Sequence, residues 1–134
     1  MKRRGKLHKL PTLFISGNLS RRIPLFRVFF EANRIFLDTL EFRRRKYGFK
    51  LRGFVLMPDP YHLLLTASPN TSLSALLRDF KSFVGLTISQ RLARAGGNDL
   101  LQRFQLARPL QHRKNPRYRV LQYDNNILEV YHPL

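Results

Sequence analysis

The sequence has no cysteine and no tryptophan, and only 8 of its residues are acidic. Without cysteine, the chain has no disulfides and no thiolate ligands for a metal. No run of residues approaches the roughly 18 apolar side chains that a membrane span needs, and the basic N-terminus leads into no apolar segment of signal-peptide length. By elimination, we expect a soluble cytoplasmic protein.

The sequence does contain enough apolar side chains for one core. Its 134 residues are 43% hydrophobic and include 11 Phe, and the length is typical of one domain. We expect residues 1–10 to be a basic N-terminal extension and residues 11–134 to be a single domain with an irregular C-terminal part. Phe14, Phe54 and the pair Phe29–Phe30 have spacings typical of core residues.

The charge balance points to a polyanionic partner. The chain has 25 basic residues and a net charge of +17. Such a molecule repels itself unless a polyanion or dense counterions neutralise it. Residues 1–53 hold 15 of the basic and 3 of the acidic side chains. The composition therefore favours nucleic acid as the partner, with most of the basic surface in the first half of the chain.

Hydrophobic periodicity divides the chain into strands and helices. The predicted elements are a strand at 12–16, a helix from about Pro24 to Lys46, strands at 49–57 and 61–67, a helix from Ser72 to Arg94, and a strand at 118–123. The polar, basic residues 98–117 predict no regular element. The order β-α-β-β-α-β predicts an α+β, ferredoxin-like split βαβ fold, with an antiparallel sheet and two helices on one face.

The segment from Phe54 to Leu65, FVLMPDPYHLLL, resembles the central motif of the single-tyrosine HUH-type transposases, a bacterial family that includes the REP-associated tyrosine transposases. In that family the motif reads roughly V-hydrophobic-M-P-N-H-hydrophobic-H-L-L-L. Flanking segments agree in order: RIPLF at 22–26, YGF at 47–49, SLS at 72–74 and FKS at 80–82. The resemblance implies a DNA transposition protein that acts on single-stranded DNA next to hairpins.

The resemblance implies a metal site that this sequence does not complete. Family members place two His on one strand, one residue apart, so that both side chains share a face and hold a divalent metal. Here Pro60 occupies the first His position and Asp59 the preceding Asn position, so only His62 remains as a remnant ligand. We expect no cofactor, or Mg²⁺ or Mn²⁺ if activity persists. Tyr61 should point to the face opposite His62.

The attacking tyrosine that the resemblance implies is also missing, because the helix after the motif contains no Tyr. The family's spacing of tyrosine, three residues and glutamine puts the nucleophile at Leu86 and a remnant metal ligand at Gln90, with Phe83 as an alternative nucleophile position. Neither Leu nor Phe has an attacking oxygen. The chain also ends soon after the last predicted strand, where family members continue, which suggests a C-terminal truncation. Together these losses predict a pseudoenzyme.

Two basic clusters are the main predicted DNA contacts, one around the end of the first helix and one before the last strand. Cations at a helix end also favour the helix dipole, and the second cluster is nearly as well explained as a solvated loop. The predicted DNA-binding residues are Arg43, Arg44, Arg45, Lys46, Lys50, Arg52, Lys81, Arg113, Lys114 and Arg117.

The preferred hypothesis is a transposase-family protein that recognises single-stranded or hairpin DNA without efficient strand cleavage and that, by the resemblance, forms homodimers. One alternative is an RNA-associated protein that uses its sheet as an RRM-like platform. The other is a transposase with residual metal-dependent nicking through His62, Asp59 and Gln90. A comparison of DNA with RNA hairpins and a search for a covalent protein–DNA adduct would separate the three.

Overall fold

The computed structural model describes residues 11–69, 71–106 and 120–130. These residues form four strands and four α-helices, with a short 3-10 turn at Ser20–Arg22 after the first strand. In chain order the elements are β1 (Thr12–Leu19), α1 (Leu25–Val28), α2 (Glu31–Tyr47), β2 (Lys50–Leu56), β3 (Tyr61–Thr66), α3 (Leu73–Arg94), α4 (Asn98–Leu106) and β4 (Leu121–Glu129).

The four strands form one antiparallel sheet in the order β2-β3-β1-β4. Ile15 of β1 pairs with Leu63 of β3 on one side and with Ile127 of β4 on the other. The strands β2 and β3, which flank the proline-rich segment of the sequence motif, are neighbours, with Leu51 opposite Leu65. The prediction of a ferredoxin-like α+β fold is therefore confirmed.

Packed aromatic rings join the helices to one face of this sheet. The ring of Phe36, on α2, lies 4.9 Å from the ring of Tyr61 on β3 and 4.9 Å from the ring of Phe80 on α3. Phe26 adds an edge-to-face contact at 5.5 Å. All four side chains are buried, and such pairs stabilise a core beyond the area they bury. Both α2 and α3 therefore lie on the face to which Tyr61 points.

The side chain of Tyr61 also contacts two other strands of the sheet, β4 through Asn125 and β1 through Gly17. Its hydroxyl accepts a hydrogen bond from Nδ2 of Asn125 at 3.1 Å, and burial raises the pKa of Tyr61 to about 12. A Cβ atom at Gly17 would lie 2.2 Å from that hydroxyl oxygen, so only glycine fits beside it. Because neighbouring strand residues point to opposite faces, Tyr61 and His62 point in opposite directions, as predicted.

The predicted helix over 24–46 is interrupted, which corrects the sequence-based prediction. Phe29 and Phe30 separate α1 from α2, and the backbone of Phe29 is not helical, with φ −133° and ψ 86°. Asn33 accounts for the break, because its Nδ2 donates hydrogen bonds to the carbonyls of Phe26 and Phe30. A side chain thereby satisfies carbonyl groups at the junction of the two helices.

The prediction of irregular structure for residues 98–117 is wrong for its first part, which forms α4. This helix buries Leu101 and Phe104 against the core. Its apolar positions were visible in the sequence, but polar neighbours and the short length hid the period. Residues 107–119 lie outside the described part of the chain.

The last strand begins and ends later than the predicted 118–123. β4 continues through Asn125 and Asn126, and asparagine is depleted in strands. The tertiary contacts of Asn125 outweigh that preference, because its Nδ2 donates both to Tyr61 and to the carbonyl of Ser16.

None of the helices in the described part of the chain has the length and apolar character that a membrane-spanning helix requires.

Candidate nucleic-acid interface

The sheet face opposite α2 and α3 is exposed across its centre, and we call it the open face. Strand alternation places Phe14 of β1 and His62 of β3 on it. Val55 lies opposite His62 on β2, and Leu128 lies opposite Phe14 on β4. Their exposed fractions are 53% for Val55 and 56% for Leu128. In the described part of the chain, the open face therefore presents apolar side chains to solvent.

The interpretation of several phenylalanines as core residues is wrong. Phe14 is 36% exposed on the open face, Phe54 is about half exposed on the edge strand, and Phe30 is 80% exposed at the helix break. Phe29 is partly buried and packs against the core. For Phe14, strand alternation predicts that one face is buried but does not say which. Phe54 points to the covered face but is exposed because it lies on the edge strand β2, and Phe30 is exposed because the helix is interrupted beside it.

His62 is held in place by two neighbours on β1. Its Nδ1 lies 2.8 Å from Oγ of Ser16, at hydrogen-bond distance. Its ring stacks on Phe14, with ring centroids 5.4 Å apart and planes inclined by 12°. This side chain, the one remaining member of the predicted metal pair, is therefore part of an aromatic pair at the centre of the open face.

Asp59 connects the β2–β3 turn to the end of β1. One carboxylate oxygen accepts a hydrogen bond from the backbone N–H of Leu19 at 2.6 Å, and the other pairs with the guanidinium of Arg22. Arg21 and Arg22 both have left-handed backbone conformations, with φ of 56° and 55°. Such conformations cost roughly 1–2 kcal/mol per residue. The contacts of Asp59 help to hold this strained turn.

The residues at the motif do not fit a divalent metal. Pro60 has no donor atom, both oxygens of Asp59 are engaged, and the Nδ1 of His62 faces Ser16. A single free imidazole nitrogen is not a chelate, and metals of this kind need several ligands. Among the described residues, no group of three His, Cys, Asp or Glu side chains is placed to hold a metal ion.

The structure does not bring the predicted nucleophile and third-ligand positions to His62. Phe83, Leu86 and Gln90 are exposed on α3, whose buried side packs on the sheet face away from His62. The ring of Phe83 lies 5.7 Å from the guanidinium carbon of Arg43 on α2, at the outer surface of the helix layer. Within one copy of the chain, these positions and His62 therefore do not form one site.

The basic run at the end of α2 is partly neutralised. Glu41 accepts hydrogen bonds from Arg44, at 2.7 and 2.6 Å, and from Arg45 at 3.1 Å. The hydrogen bonds from Arg44 are the main reason that the pKa of Glu41 falls to about 2. Arg43 instead lies between the rings of Phe42 and Phe83. Of the predicted run 43–46, Lys46 is the cation most available to a ligand.

Three cations without a carboxylate partner in the described structure lie where α2 ends and β2 begins, and we call them the cationic edge: Lys46, Lys50 and Arg52. Lys50 pairs with Thr66, which faces the same side as His62 and Leu64. Arg52 donates from Nε to Oγ1 of Thr66 at 3.0 Å. Lys50 and Arg52 therefore border the open face at Thr66, which lies about 13 Å along β3 from His62, and Lys46 lies at the end of the neighbouring helix α2.

The other predicted DNA-binding residues give no further support to the open face. Lys81 is partly buried on α3, on the far side of the sheet. Arg113, Lys114 and Arg117 lie outside the described residues. The Arg52–Thr66 contact and the Phe14–His62 stack were missed by sequence reasoning, because both depend on the register between strands.

This arrangement of strands and helices occurs in two solved structures that are described as transposases. A protein of Deinococcus radiodurans R1 described as a candidate transposase matches 98% of this chain and 87% of its own, with a TM-score of 0.56 and 19% identity. A REP-associated tyrosine transposase bound to a REP hairpin matches 99% of this chain, with a TM-score of 0.58 and 16% identity. The chain shares their fold.

The likeness is one of structure, since the identities are low. The chain spans 64% of the length of the REP-associated transposase. No protein-family model matches the sequence, and no curated protein matches it.

Proposed function

We propose that the protein binds single-stranded or hairpin DNA through the open face and the cationic edge, and that it does not cut the DNA. The observation that carries this proposal is that Lys50 and Arg52 border the same sheet face that carries the Phe14–His62 stack. Cations bind the phosphate backbone, and exposed rings bind unpaired bases. The net charge of +17 favours such a partner over a neutral or basic one.

The preference for DNA over RNA is supported by likeness rather than by a contact. The sequence motif resembles that of transposases, and one solved transposase of the same fold is bound to a REP hairpin. The RNA-binding alternative uses the same surface, so the nucleic acid itself must be varied in the test.

The proposed lack of cleavage is supported by the residues around His62. Phosphotyrosine chemistry needs a metal to polarise the phosphate and a phenol to attack it. Pro60 offers no ligand, Asp59 is engaged by Leu19 and Arg22, and Tyr61 is buried on the other face with a raised pKa. We propose a pseudoenzyme that retains the binding function of its lineage.

Fluorescence anisotropy with three labelled probes tests the binding proposal: a DNA hairpin with a single-stranded tail, the same hairpin in RNA, and a blunt DNA duplex. We expect the tailed DNA hairpin to bind most tightly, and its affinity to fall steeply with salt. Tighter binding to the RNA hairpin would favour the RNA-associated alternative. Absence of binding at low salt would contradict the proposal.

Homodimer formation stays a prediction, which analytical ultracentrifugation checks.

A further inference from the structure

At the β2 edge of the open face, Gly53 leaves a space that no side chain fills. Gly53 lies on β2 opposite Leu64, and a Cβ atom added at Gly53 would meet no heavy atom within 4 Å. On its other side, Leu64 lies opposite Phe14 of β1. The glycine thus leaves a shallow, apolar floor beside the exposed ring of Phe14.

One edge of this floor carries an oriented positive charge. Arg52 donates from Nε to Oγ1 of Thr66, and that oxygen lies 2.9 Å from Oγ1 of Thr12. This chain of contacts holds the guanidinium over the sheet, and its terminal nitrogens make no ion pair with a described carboxylate. An arginine that is oriented in advance loses less side-chain freedom when it binds a phosphate.

Arg52 is held two residues away from Phe14 along the sheet. It is bound to Thr66, Thr66 pairs with Thr12, and Thr12 and Phe14 are two residues apart on β1, which corresponds to about 7 Å along the strand. A base and its own phosphate are separated by a similar distance. The opposite end of the floor is closed by the ring of His62, which stacks on Phe14 and is fixed by Ser16.

We propose that this floor is a subsite for one unpaired nucleotide, whose base stacks with Phe14 and whose phosphate is bound by Arg52. This inference rests on the proposed function and names the part of the DNA that the open face takes. Bases within a duplex have no free ring surface, whereas a single-stranded tail next to a hairpin offers one at every base. The hairpin stem can still bind the cationic edge through its phosphates.

The test measures how much a three-nucleotide tail improves binding to a DNA hairpin, for the full chain and four variants. Phe14→Leu removes the ring but keeps an apolar side chain, and Gly53→Leu fills the floor where a side chain meets nothing. Arg52→Gln removes the charge. Phe54→Leu is the matched control, since it removes an exposed ring that points to the other side of the sheet. Thermal unfolding confirms that each variant is folded.

We expect the tail to improve binding by the full chain, and Phe14→Leu and Gly53→Leu to reduce that improvement by about 5-fold or more. Blunt-hairpin binding should stay unchanged in these two variants, Arg52→Gln should weaken binding to the tailed hairpin, and Phe54→Leu should behave as the full chain does. A tail labelled with 2-aminopurine should lose fluorescence on binding only when Phe14 is present.

Two results would overturn the inference. The first is equal binding of tailed and blunt hairpins by the full chain. The second is a tail effect that survives both Phe14→Leu and Gly53→Leu. Failure of the full chain to bind either hairpin is a different result, because it contradicts the proposed function itself.

Discussion

Removal of the cationic edge tests where DNA binds. In the triple variant Lys46→Gln, Lys50→Gln and Arg52→Gln, three cations without a carboxylate partner in the described structure become neutral. Each phosphate that a cation neutralises contributes about 0.7 to the slope of log affinity against log salt for single strands. Three contacts therefore predict that the slope becomes shallower by about 2.

The expected effect is large enough to measure by anisotropy. A slope difference of about 2 means that raising the salt fourfold costs the wild-type protein roughly 20-fold more affinity than it costs the variant. The matched control neutralises three other exposed cations, which lie on α1, at the end of α3 and on α4: Arg27, Arg94 and Arg103. Equal slopes for the two triple variants would contradict binding at the cationic edge, since they would show that net charge matters and position does not.

Three further predictions concern the fold. Phe36→Ala should lower the free energy of unfolding by about 3–5 kcal/mol in urea denaturation, because Phe36 is fully buried among three other rings; a loss below about 1 kcal/mol would contradict this packing. Gly17→Ala should strongly lower Tm because of the contact with Tyr61, whereas Gly53→Ala should leave Tm nearly unchanged. The pKa of Glu41 is lowered from 4.5 to about 2 by Arg44, so the ionised Glu41 stabilises the folded state above pH 4.5, and this stabilisation is lost as the pH falls towards 2. The Tm difference between wild type and Glu41→Gln should therefore shrink over that range.

The order of elements could be predicted because apolar residues recur along the sequence at the spacing of a strand or of a helix. The row of buried apolar residues along α3 could be read directly from the sequence, and so could its N-cap Ser72, which accepts a hydrogen bond from the N–H of Ala75. The helix break at Phe29 was not, because it depends on the side chain of Asn33. The later position of β4 was hidden for a similar reason, since Asn125 is stabilised by partners distant in the sequence.

The candidate site was predicted less well than the fold. The motif identified His62 and the lost ligand at Pro60, since both are visible as residue types. Sequence reasoning placed Phe14 in the core, although the structure exposes it on the open face. It also grouped Gln90 with His62, although the sheet separates them. Which face of a sheet is covered is decided by the packing of helices, and a single strand's pattern does not contain that information.

We propose that the protein binds hairpin DNA and does not cleave it. One experiment measures both: a labelled DNA hairpin with a single-stranded tail is incubated with the protein and Mn²⁺, and the sample is divided between a native and a denaturing gel. Binding without cleavage predicts a shifted band on the native gel and only intact free DNA on the denaturing gel. A labelled protein–DNA adduct that survives denaturation and disappears when one tyrosine is replaced by phenylalanine would contradict it.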